Sequence, residues 1–139
     1  MTRAMVLLLA VLGASAHVGA AMLPQCPAEL PVAAVKVSAP AGWVSYVPGP
    51  LALYSAQMAS GPPEELAVLV GEPVKGRKRA TSYVWTTPGF AQGMWLQCLY
   101  GDGGEVVISR RLPEPIRECV VDYASVKAGG GTRVVVSCS

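Results

Sequence analysis

The stretch that decides the fold reads Met94-Trp95-Leu96-Gln97-Cys98-Leu99-Tyr100 and is followed by the turn sequence Gly101-Asp102-Gly103-Gly104. Three further runs complete the C-terminal part of the chain: residues 105–111, 118–125 and 132–138. Aromatic and β-branched residues fill these runs, and Gly or Pro separates them, which is typical of antiparallel strands joined by tight turns. We therefore predict that residues 93–138 form a four-stranded antiparallel unit.

The chain before this unit consists of short apolar runs separated by Pro and Gly, a pattern that favours strands over helices. The candidate strands are residues 31–38, 43–47, 51–58, 66–70 and 80–87. Together with the C-terminal unit they predict an all-β fold, a small disulfide-braced antiparallel sandwich or open barrel of about seven or eight short strands.

The N-terminus has the layout of a secretory signal peptide. Arg3 gives a positive start, residues 5–12 are an unbroken apolar run, and small residues follow. Cleavage after Ala16, or alternatively after Ala20, would leave a single β domain, residues 17–139. We expect a periplasmic or secreted monomer with no transmembrane segment after cleavage, because the apolar run is shorter than the roughly 20 residues that span a bilayer.

Four cysteines in an exported chain predict two disulfide bonds. Alternation along strands places Cys119 and Tyr123 on one face and Val134 and Cys138 on one face of the next strand, so folding this hairpin sets Cys119 opposite Cys138. Strands of a simple meander that are not neighbours lie about 9–10 Å apart, beyond disulfide reach, which argues against Cys98–Cys119. We predict Cys119–Cys138 and, by elimination, Cys26–Cys98.

Composition excludes several classes of function. Loss of Arg3 would leave ten of the eleven basic side chains against nine acidic ones, too little positive charge for a nucleic-acid partner. The only histidine is His17, at or before the predicted new N-terminus, so a Ser-His or Cys-His nucleophile is not expected. The sequence has no P-loop, dinucleotide fingerprint or zinc motif, and we expect no metal and no cofactor.

Two kinds of hydrolytic site stay open as minor alternatives. Carboxylate pairs could act as in a glycosidase, and the candidates are Glu64 with Glu65, Asp102 with Glu105, Glu114 with Glu118, and Asp122. A Ser-Lys dyad could use Lys36, Lys75, Lys78 or Lys127. Solvated surface charges are the ordinary explanation for all of these residues, so we predict no catalytic residues.

Aromatic residues occur in most of the predicted strands, and each can belong either to the core or to an interaction surface. For any one ring the core is the more common place. A binding face, if there is one, would be formed by Trp43, Tyr54, Trp85 and Tyr100.

Several short segments occur in this chain in a fixed order. They are Cys26-Pro27, Gly42-Trp43, Gly61-Pro62-Pro63, Trp85-Thr86, residues 95–100, residues 109–113, residues 119–123 and Cys138. The chain resembles a family of small exported Gram-negative bacterial proteins of unknown function, with four cysteines and a W-L-x-C-x-Y segment. The resemblance implies a periplasmic or secreted protein and brings no catalytic residue with it.

These observations favour a non-enzymatic periplasmic binding or interaction module, whose partner is an envelope protein or a small ligand. A narrower alternative is an inhibitor of a cell-wall enzyme or protease. The competing alternative is a hydrolase that uses carboxylates or a Ser-Lys dyad.

Overall fold

The computed structural model describes residues 23–75, 81–126 and 131–139, and within them it confirms the all-β prediction. The strands are β1 (Glu29–Leu30), β2 (Leu51–Ala59), β3 (Glu72–Pro73), β4 (Thr81–Thr86), β5 (Trp95–Tyr100), β6 (Val106–Arg111), β7 (Glu118–Ser125) and β8 (Thr132–Cys138). Two short 3-10 helices, Val32–Ala34 and Pro63–Glu65, lie in loops. Two four-stranded antiparallel sheets, in the orders β1-β2-β5-β6 and β3-β4-β7-β8, form a sandwich.

The expected single four-stranded C-terminal unit is wrong, because its two hairpins belong to different sheets. The β5–β6 hairpin lies in the first sheet and the β7–β8 hairpin in the second. Between them, Pro113 and Pro115 lack the backbone N–H that a further ladder needs. The chain therefore leaves the first sheet after β6 and enters the second at β7.

The register of the β7–β8 hairpin is the one that alternation predicts. Cys119 lies opposite Cys138, Val121 opposite Val136, and Tyr123 opposite Val134. These side chains face the first sheet, whose inward residues complete the core. The buried set includes Leu53, Ala56, Met58, Leu96, Cys98 and Tyr100 from the first sheet and Trp85, Cys119, Val121, Val134 and Val136 from the second.

Two disulfide bonds brace the sandwich, and they join the pairs expected from the sequence. Cys119 and Cys138 are bonded across the β7–β8 hairpin with a Cα–Cα distance of 4.1 Å. Cys26 and Cys98 are bonded with a Cα–Cα distance of 5.6 Å, which ties the segment before β1 to the centre of β5.

A glutamine side chain closes part of the outer edge of β8. Gln25 Nε2 donates to Val136 O at 2.8 Å, and Val136 N donates to Gln25 Oε1 at 2.9 Å. The side-chain amide thus makes the two hydrogen bonds that a neighbouring strand would make, and it satisfies exposed backbone groups of an edge strand.

Three predicted strands are wrong. Residues 31–38 form a 3-10 turn and irregular chain, and residues 43–47 pair with no strand within the described part of the chain. Residues 66–70 make one isolated bridge, Ala59 to Val68, because Leu66 has a left-handed backbone (φ 51°) that interrupts an extended run. Each of these runs has strand propensity, but none of them pairs with a second described strand along its length.

The inward side of β2 also differs from simple alternation. A register irregularity between Leu53 and Ser55 acts as a bulge, which changes the face that the following residues occupy. Leu53 is therefore buried together with Ala56 and Met58, rather than with Ser55.

Some predictions concern residues outside the described part. They are the signal peptide over residues 1–16 or 1–20, His17, and two of the lysines considered for a Ser-Lys dyad, Lys78 and Lys127. In the described residues, the structure contains no helix with the length and apolar character needed to cross a membrane.

Candidate interaction site

The longest connection in the first sheet joins β1 to β2 and comprises residues 31–50, which we call the β1–β2 loop. Its ends meet because Leu30 and Leu51 lie opposite each other in the β1–β2 pair. None of its residues is buried. A connection of this length with little regular structure is uncommon in a compact domain and is often a binding loop.

Apolar side chains at the middle of this loop are strongly exposed. Trp43 is 77% exposed, Val44 94% and Tyr46 78%. Single exposed apolar residues are ordinary, but several large apolar side chains exposed within four residues indicate an interaction surface. We call residues 43–46 the apolar tip of the loop.

The backbone around the apolar tip is constrained by its own sequence. Trp43 N donates to Pro40 O at 3.0 Å, closing a turn in which Gly42 adopts a left-handed conformation (φ 84°) that glycine adopts without strain. Pro48 and Pro50 fix φ on the other side. These restraints reduce the conformational freedom that the loop would lose on binding a partner.

The structure divides the four aromatic residues expected on a binding face. Trp85 and Tyr100 are buried, so these two do not belong to an exposed face. Trp85 Nε1 donates to Leu69 O at 3.1 Å, and Tyr100 Oη donates to Pro27 O at 3.0 Å, which satisfies both polar groups inside the protein. Trp43 and Tyr54 are exposed, and their role in binding stays a prediction.

Val44 and Tyr46 were not among the expected site residues. Their strand propensity hid them, because residues 43–47 were assigned to a short strand with its side chains divided between two faces. The sequence signal that points to them is the short length of this run, which is bounded by the turn at residues 40–42 and by Pro48.

A second surface feature is a cleft of about 400 Å³ between β2 and β4. It is lined by Ser55, Ala56, Gln57, Leu69, Val70, Gly71, Thr81, Tyr83, Trp85 and Tyr123. None of these residues is charged. The cleft could admit an apolar group, but its lining provides neither a carboxylate nor an amine for acid–base chemistry.

The phenol of Tyr123 connects the two sheets beside this cleft. Tyr123 Oη donates to Ala56 O at 2.5 Å, and the ring of Tyr83 meets it edge-on at 6.0 Å between centroids. Burial, together with the nearby phenol of Tyr83, raises the pKa of Tyr123 to about 12. Tyr123 is therefore protonated at neutral pH and acts as a hydrogen-bond donor, not as a base.

The carboxylates considered for hydrolysis lie at the surface. All the acidic side chains are exposed except that of Asp122, which is partly buried and accepts a hydrogen bond from Ser82 Oγ at 2.5 Å. Glu114 forms an ion pair with Arg111 at 2.7 Å, and Glu65 accepts a hydrogen bond from Gln92. The contacts of Glu114 and Glu65 are surface contacts, which is the ordinary role of such residues, whereas Asp122 bonds to the buried Ser82.

Among the described residues, the lysines of a possible Ser-Lys dyad and the groups that could bind a metal give no sign of a site either. Lys36 and Lys75 are exposed, while Lys78 and Lys127 lie outside the described residues. In residues 23–75, 81–126 and 131–139, no group of three or more His, Cys, Asp or Glu side chains is placed to hold a metal ion.

Comparison with known families gives one match. The model of the type VI secretion system Tli immunity protein family matches residues 48–139, about two thirds of the chain. The chain belongs to the Tli immunity protein family. The expected small bacterial protein with four cysteines thus belongs to a family whose name states a role. No curated protein and no solved structure matches the chain.

The match to the Tli immunity family covers β2 to β8 and therefore most of both sheets. It begins at Pro48, so β1, Cys26 and the apolar tip of the β1–β2 loop precede the matched residues. The match thus covers most of the sandwich and does not extend to β1 or to the apolar tip.

Proposed function

We propose that this protein is a periplasmic immunity protein that binds a toxic effector of a type VI secretion system and neutralises it without catalysing a reaction. The match of residues 48–139 to the Tli immunity family carries the proposal. An immunity protein protects the cell that makes it, and binding the toxin is the direct physical means of doing so.

Two features support the periplasm as the place of action. Both disulfide bonds need an oxidising compartment, and the bacterial periplasm provides one. The predicted signal peptide at residues 1–16 or 1–20 would deliver the chain there.

The chemistry of the described surface supports binding over catalysis. The cleft between β2 and β4 is uncharged, and the carboxylates form surface contacts. Inhibition of a cell-wall enzyme or a protease would use the same kind of binding, but the family match favours a delivered effector as the target over an enzyme of the producing cell.

Protection of living cells tests the proposal. Each type VI effector of the producing bacterium is expressed with an export signal in a susceptible laboratory strain, with or without the full chain. We expect the full chain to restore growth against one effector. A version that lacks residues 1–20 stays in the cytoplasm and serves as the control, which should not protect.

Two outcomes would contradict the proposal. If the full chain restores growth against none of the effectors, the protein is not an immunity protein for them. If the cytoplasmic control protects equally well, the protein does not need to act in the periplasm.

A further inference from the structure

We infer that the apolar tip of the β1–β2 loop is the part of this protein that selects its effector, by inserting Trp43, Val44 and Tyr46 into an uncharged apolar pocket on that effector. This inference rests on the proposed function and adds to it the surface that binds and the chemistry of the surface that is bound.

Exposure and residue type are the first argument. Trp43, Val44 and Tyr46 are each more than three-quarters exposed, although burial is the favourable state for such side chains. Trp and Tyr are also the residues that most often dominate the binding energy of an interface. The tip therefore presents the side chains that an interface centre needs.

Preorganisation is the second argument. The loop is closed at its base by the Leu30–Leu51 pair, and the nearby Cys26–Cys98 bond anchors the chain just before β1. The turn at residues 40–43 and the flanking prolines restrict the tip itself. A protein that holds its anchors in place before binding loses less conformational entropy when the complex forms.

Charge defines the partner. Lys36 is the only charged residue of the β1–β2 loop, and residues 37–63 contain none. A charged pocket on the effector would be desolvated when it binds the apolar tip and would gain no ion pair in return. The complementary surface is therefore uncharged and apolar.

The extent of the family match supports a role in selection. An immunity protein must distinguish its own effector from others, which requires a part that differs from the shared scaffold. The apolar tip precedes residue 48, where the match to the Tli immunity family begins.

A lipid surface is a less suitable occupant for the tip. Loops that insert into anionic membranes combine aromatic residues with several cations. This loop has one lysine, which lies seven positions before Trp43.

A matched pair of substitutions tests the inference. Val44 and Val70 are the same residue type and are both 94% exposed, but Val44 lies in the apolar tip and Val70 at the cleft between β2 and β4. Val44→Asp and Val70→Asp therefore add the same charge at equal exposure, and neither removes a buried contact. The probe is the purified effector that the wild-type protein neutralises in the growth assay.

We expect Val44→Asp to weaken binding to this effector by about thirtyfold or more, and Val70→Asp to change it by less than about threefold. Trp43→Ala should weaken binding about as much as Val44→Asp. The wild-type affinity should change by less than about threefold between about 0.05 and 0.5 M NaCl, because no ion pair forms at the tip.

Each of the following outcomes would overturn the inference. Strong loss with Val70→Asp and none with Val44→Asp would place the effector on the cleft, while the proposed function would stand. A wild-type dimer that Val44→Asp converts to a monomer in sedimentation would assign the tip to a second copy of the chain. Binding of the wild type, but not Val44→Asp, to phospholipid vesicles would assign it to a membrane. If the wild type neutralises no effector, the proposed function and this inference fail together.

Discussion

Gly71 shows how a single position without a side chain permits the packing of the largest core residue of the second sheet. A Cβ atom at Gly71 would lie 2.5 Å from Cε2 and Cζ2 of Trp85. The indole is rigid, buried, and held by its hydrogen bond to Leu69 O. Trp85 therefore could not move away from a methyl group at residue 71 without losing core contacts.

Gly71→Ala should accordingly lower the free energy of unfolding by about 1–3 kcal/mol, the usual cost of overpacking a core. Gly49→Ala is the matched control, because no atom lies within 4 Å of its added Cβ and neither glycine has a left-handed backbone. The control should stay within about 0.5 kcal/mol of the wild type. Urea denaturation measures both variants, and equal stability of the two would show that Trp85 is not packed against residue 71.

At this scale the sequence predicts inward positions well where alternation is regular. Cys119, Val121 and Tyr123 were assigned to one face, and they occupy it. It could not predict that Trp85 and Tyr100 are core while Trp43 is exposed, because the choice depends on which elements cover each ring. It also could not predict the bulge in β2, which depends on how Leu53 and Ser55 meet β5.

At the scale of elements, the strands that pair along their length were predicted closely, among them β2 and β4, which pair with the distant strands β5 and β7. The β5–β6 and β7–β8 hairpins have adjacent partners in sequence, so their turns and alternation define them. Residues 31–38, 43–47 and 66–70 have similar propensity, but in the described part of the chain none of these runs pairs with a strand along its length. A strand exists only when another strand takes its backbone hydrogen bonds.

The two disulfides should differ in how much they stabilise these elements. Cys26–Cys98 spans 72 residues of sequence and Cys119–Cys138 spans 19, so the loop-entropy account gives losses of about 4 and about 3 kcal/mol when each is removed. Cys26→Ala with Cys98→Ala should therefore be the less stable double variant in urea denaturation. A less stable Cys119→Ala with Cys138→Ala variant would show that hairpin geometry outweighs loop length.

At the scale of the whole molecule, the protein is a disulfide-braced sandwich that carries one long exposed loop. The sequence indicated the fold class, but not the division of the C-terminal strands between two sheets. That division follows from Pro113 and Pro115 and from the core that both hairpins cover, and these are long-range effects. The match to the Tli immunity family covers most of this sandwich, from β2 to β8.

As proposed, the protein neutralises its effector by binding it one to one and leaves it chemically unchanged. Calorimetric titration of the purified mature protein into the effector that it neutralises tests this most directly, combined with mass measurement of the effector after separation. We predict a 1:1 end point, a Kd on the order of 1–100 nM as in other specific protein complexes, and an effector of unaltered mass. Inactivation of the effector by far less than one equivalent of this protein, with an altered effector mass, would contradict the proposed function.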